Sequence, residues 1–78
     1  MSAKRIGKLS KKQQEEYVTY LGWLKESVIK KKDSHIEHNL GVVSGFLRGL
    51  ESCGVIDFHT RLELYIKALH ISRGEFYV

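Results

Sequence analysis

The sequence predicts an all-α protein: a small three-helix domain with a disordered basic N-terminal arm. Apolar residues recur at helical spacing in three segments, about 11–32, 35–53 and 58–71. Capping residues and a well-placed glycine punctuate the gaps, at Ser10, Ser34, Gly54 and Asp57. The chain has no proline, no low-complexity linker and no internal repeat, so nothing divides it further. The expected plan is a flexible arm over residues 1–10, the helical domain over 11–74 and a tail over 75–78.

The first helix is expected to open at Ser10. Ser10 and Gln13 have capping-box spacing, in which the serine oxygen accepts a free backbone N–H and the glutamine reaches back. Tyr17, Tyr20, Leu21, Leu24 and Val28 then share one face, while Lys11, Gln14, Lys25 and Lys32 point elsewhere. Lys30, Lys31 and Lys32 are expected on the last turn, where positive charge complements free carbonyls.

Ser34 and Glu37 repeat the capping-box spacing and are expected to start the second helix. Its apolar stripe is Ile36, Leu40, Val43, Leu47 and Leu50, widened by Phe46. Gly54 is placed as a left-handed residue beyond the helix end, with Val55 reaching back to Leu50. Asp57 can cap the third helix, which is expected to turn Phe58, Leu62, Tyr65, Ile66 and Leu69 to the core and to fray over residues 72–74. Beyond it, Phe76, Tyr77 and Val78 have high β propensity and no strand to pair with, so they dock on the helices or serve a partner. The short connections make consecutive helices antiparallel neighbours or sharply angled hairpins. The run Leu50-x-x-x-Gly54-Val-Ile-Asp57 resembles the SHOCT pattern over about twenty residues, which implies a helical hairpin and carries no function with it.

A chain of 78 residues can bury only about 60 % of its unfolded surface, so stability is expected to be thin. An intrachain disulfide is excluded because Cys53 is the only cysteine. A lone thiol without an apolar signal segment points to the cytoplasm. No membrane span is expected, since the most apolar run, Ile36 to Ile56, carries Glu37, His38, Arg48 and Glu51. The net charge of +4 is unevenly spread. Lys4, Arg5, Lys8, Lys11 and Lys12 give the first twelve residues +5, and the remainder sums to −1. The basicity belongs to the arm and not to the folded body.

Gly41, Gly45 and Gly49 are the most informative feature for function. Spaced four apart, they share one stripe of the second helix, nearly opposite its apolar stripe. Each costs a helix interior about 1 kcal/mol relative to alanine, a cost normally offset by a second backbone lying close. That backbone is either another helix of the same chain or the second helix of another copy. Apolar and glycine stripes on opposite sides, with Val42 and Cys53 along the edge, favour a homodimer. Trp23 and Tyr20, with Phe76 and Tyr77, are the candidate anchors for another protein.

Catalysis and cofactors are not expected. His35 and His38 supply too few ligands for a metal, and His59 and His70 lie roughly 16 Å apart along their helix. Cys53 is expected to be a small buried residue near a helix end. The expected function is therefore a small regulatory or adaptor protein acting by protein–protein contact. The alternative is a DNA- or RNA-binding regulator, using Lys4, Arg5, Lys8, Lys11, Lys12, Lys30, Lys31, Lys32 and Arg61. In that form the second and third helices would act as a helix-turn-helix, with His59, Thr60, Arg61 and Glu63 near the start of the reading helix.

Overall fold

In the computed structural model, which describes residues 9–75, the capping box at Ser10 forms as its spacing requires. The Ser10 hydroxyl accepts the Gln13 N–H at 3.0 Å, and Gln13 Oε1 accepts the Ser10 N–H at 2.9 Å. This box opens α1 (Lys11–Ile29), followed by α2 (Asp33–Ser52) and α3 (Phe58–Ser72); no strand occurs among the described residues. Leu9, assigned to the flexible arm by the sequence, is buried at 6 % exposure in the core. Residues 1–8 and 76–78 lie outside the described residues.

All three helices end in the same way. In each, the residue after the C-cap is left-handed and donates its N–H three residues back, while the next N–H reaches five residues back. The bonds run Lys31 to Val28 and Lys32 to Ser27 after α1, Gly54 to Glu51 and Val55 to Leu50 after α2, and Gly74 to Ile71 and Glu75 to His70 after α3. The left-handed residues are Lys31 (φ 56°), Gly54 (φ 78°) and Gly74 (φ 79°). The Gly54 stop is the one expected from sequence, and Asp57 does cap α3, accepting the Thr60 N–H at 2.8 Å.

Several boundaries differ from expectation. α1 ends at Ile29, so Lys30 is its C-cap, Lys31 the left-handed turn residue and Lys32 the N-cap of α2; none stands on a last helical turn. α2 accordingly begins at Asp33, two residues early, and the Ser34–Glu37 box is not used. The physical reason is that the left-handed step at Lys31 reverses the chain within three residues, which places Asp33 already in the first turn. The expected fraying over residues 72–74 is replaced by the closed stop at Gly74.

Each helix contributes one stripe to a shared core. α1 gives Tyr17, Leu24 and Ser27, α2 gives Val43, Leu47 and Leu50, and α3 gives Thr60, Leu64 and Ala68. Leu9, ahead of α1, and Ile56, between α2 and α3, close it. Leu24, Val43 and Ala68 are wholly inaccessible. Polar bonds fix the relative positions. Tyr17 donates to the Leu64 carbonyl at 2.8 Å, joining α1 to α3. Asn39 Nδ2 donates to Ser27 Oγ at 2.7 Å and to the Trp23 carbonyl at 3.3 Å, joining α2 to α1. Arg61 pairs with Glu51, joining α3 to α2.

The core face of α3 is a correction. Phe58 and Ile66, expected inside, are 51 % and 47 % exposed, Leu62 and Leu69 are only half-buried, and the buried stripe is Thr60, Leu64 and Ala68. Tyr65 does pack against the core. α3 is apolar on more than one side, so periodicity alone leaves its rotation open. Ile56, just before the Asp57 cap, is buried in the core. The small side chains of Thr60 and Ala68 then face the neighbouring helices and allow close approach.

Candidate interaction surface

The glycine stripe of α2 lies on the solvent side. Gly41, Gly45 and Gly49 are all exposed, and a Cβ built on any of them would meet no heavy atom within 4 Å. Of the two arrangements open from sequence, packing of another helix of the same chain against the stripe does not occur among the described residues. Val43, Leu47 and Leu50 fill the core from the other side, so the glycine stripe and the core occupy opposing faces of one helix. The result is a strip of bare backbone roughly 12 Å long, at 1.5 Å rise per residue, bordered by half-buried Val42 and exposed His38 and Arg48.

The aromatic candidates separate into an inner and an outer member. Tyr20 is half-buried, with its ring centroid 5.2 Å from Trp23 and 5.2 Å from Phe46, the latter edge-on. Trp23 stands outside it at 48 % exposure. Tyr20 thus backs and orients Trp23, and the indole is the part a partner can reach. Phe76 and Tyr77 lie outside the described residues.

Among the described residues the basic candidates do not converge on one surface. Lys11 and Lys12 are exposed at the start of α1, while Lys30, Lys31 and Lys32 are exposed beyond its other end, roughly 28 Å away along the helix axis. Arg61 is committed to Glu51, and its guanidinium carbon sits 5.2 Å from the Phe58 ring centroid. Lys4, Arg5 and Lys8 lie outside the described residues. In the helix-turn-helix reading, Thr60 is buried and Arg61 is paired, which leaves His59 and Glu63 as the exposed members of that set.

Cys53 is exposed, against the expectation of a buried thiol, because it is the C-cap of α2 and the left-handed step at Gly54 turns the chain away beyond it. His70 Nδ1 lies 2.6 Å from Glu75 Oε1. Among the described residues, no three His, Cys, Asp or Glu side chains gather as a metal site, and no helix is long and apolar enough to cross a membrane. Burial pushes the Tyr17 phenol up to about 12. Sequence reasoning misses Ser27 and Asn39, the polar pair that ties α1 to α2; an asparagine inside a helix, where it is a poor helix former, is the available signal. Comparison with known protein families, curated proteins and solved structures finds no match to this chain.

Proposed function

We propose that the chain is a small helical regulatory or adaptor protein that acts by protein–protein contact and not by catalysis, and that it self-associates through the glycine face of α2. The observation that carries this reading is the open row of Gly41, Gly45 and Gly49 on the solvent side. Each glycine sacrifices about 1 kcal/mol of helix propensity, and nothing among the described residues packs close enough to benefit. A second α2 laid across the row does benefit, because two helices without side chains at the crossing bring their backbones into direct contact. A two-fold axis near Gly45 presents each stripe to its own copy and closes the assembly as a homodimer.

Trp23, backed by Tyr20, is the exposed aromatic contact for a further protein, with Phe76 and Tyr77 as additional anchors. The exposed free thiol of Cys53 suits a reducing compartment such as the cytoplasm. An extended nucleic-acid surface built from all the basic candidates would have to join lysines at opposite ends of α1 and an arginine already paired, so protein contact is the preferred reading for the molecule as a whole.

Sedimentation velocity of the wild type and of Gly45→Leu over a range of concentrations tests the proposal. The wild type is expected to shift towards twice the monomer mass as concentration rises, and the variant to stay monomeric with undiminished helical circular dichroism. A single unchanged species for both proteins would overturn it.

A further inference from the structure

Where α1 ends and α2 begins, the two helices and their turn enclose an open cleft of about 430 Å³. This is within the size range of small-ligand sites. Its wall is rigid: Ser27 donates to the Trp23 carbonyl at 2.9 Å and accepts from Asn39 at 2.7 Å. The Trp23 carbonyl can only accept, so Asn39 must turn Nδ2 towards it, which leaves Oδ1 as the acceptor this side chain can offer. The half-exposed indole of Trp23 lines the cleft, and Lys30, Lys32 and His35 line it with nitrogen donors.

The acidic group in the lining is Glu26, 3.0 Å from Lys30. Both partners of that pair are more than half exposed, so it is weak and leaves Lys30 able to turn to a stronger anion. The turn itself is costly. Of the three left-handed helix stops, those at Gly54 and Gly74 use glycine, whereas the one beside the cleft uses Lys31.

We infer that this cleft binds a nucleotide unit, its base laid on Trp23 and its phosphate held by Lys30, Lys32 and His35. An exposed aromatic side chain and two lysines lining one cleft are what a base joined to a phosphate requires: stacking tolerates any base, and the ammonium groups meet the charge. A phosphate or carboxylate alone would use the two lysines and leave the indole idle. The site uses a different side of α2 from the glycine face, so it is independent of self-association. A free nucleotide and one residue of a single strand present the same chemistry.

Trp23 is the only tryptophan, so its fluorescence reports stacking directly. The probes are adenosine 5′-monophosphate, a short single-stranded oligodeoxyadenylate, inorganic phosphate and a phosphoserine peptide. Saturable quenching by the monophosphate or the strand is expected, weakened at least about tenfold in the double variant Lys30→Glu/Lys32→Glu and unchanged in Lys11→Glu/Lys12→Glu. Both pairs are exposed, and unchanged circular dichroism establishes that each variant is folded. Equal affinity for monophosphate and strand assigns the site to a free nucleotide; tighter binding of the strand assigns it to single-stranded nucleic acid. The inference is overturned if neither quenches, if the Lys30→Glu/Lys32→Glu variant binds like wild type, or if inorganic phosphate or the phosphopeptide binds as well as the monophosphate.

Discussion

Lys31 and Tyr17 show how much single residues decide in a chain this small. Lys31 holds a left-handed backbone, where a side chain crowds the following carbonyl and glycine does not. Lys31→Gly is therefore expected to stabilise the fold by roughly 0.5–1 kcal/mol, after allowing for the greater freedom glycine gives the unfolded chain; chemical denaturation measures it. Tyr17 donates a buried hydrogen bond to Leu64, and burial holds its phenol protonated up to about 12, against an ordinary value of 10. Between those two values the unfolded chain has released the proton and the folded chain retains it. The folded state binds more protons there, so stability falls as pH rises, and the contribution is intact below pH 10. The melting temperature of the wild type should fall more steeply from pH 10 to 12 than that of Tyr17→Phe. At neutral pH the same substitution should cost about 1 kcal/mol for the lost hydrogen bond.

At the scale of the elements, caps are legible in the sequence and rotations are not. Ser10, Gly54 and Asp57 each have a local chemical role that a few neighbouring residues define, and all three act accordingly. The end of α1 is not legible, because its left-handed residue is a lysine, and no rule of composition singles out Lys31 from Lys30 and Lys32. The face of α3 is not legible either. Phe58, Leu62, Ile66 and Leu69 form as regular an apolar row as the true core stripe of Thr60, Leu64 and Ala68, and only the tertiary contacts choose between them. The choice has a mutational signature. Leu64→Ala should cost about 2–5 kcal/mol as a core truncation, while Ile66→Ala should cost much less, and urea denaturation distinguishes them. The glycine stripe is legible as a row nearly opposite the apolar stripe, and that face is exposed. Because a Cβ at each position meets nothing among the described residues of its own chain, Gly41→Ala and Gly49→Ala should each stabilise the monomer by up to about 1 kcal/mol at protein concentrations too low for association.

For the whole molecule, three short helices around one core leave little stability in reserve, and a second copy bound to the folded state adds to it by mass action. The melting temperature of the wild type should therefore rise with protein concentration, whereas that of Gly45→Leu should not. The candidate site follows the same division between local and tertiary information. Trp23 can be named from its direction on the helix, while the cleft beside it arises only when α2 folds back over the end of α1 and brings His35 and Asn39 to it.

The central claim is that two copies meet across the α2 glycine row, and the protein carries its own probe for it. Cys53 is the sole cysteine, is exposed, and lies about 12 Å along the helix axis from Gly45. A spin label attached there and measured by pulsed dipolar spectroscopy should give a defined intermolecular distance below about 40 Å, as a crossing near Gly45 requires. That distance should vanish in Gly45→Leu. Absence of any dipolar coupling in the wild type at high protein concentration, or its persistence in the variant, would contradict the account.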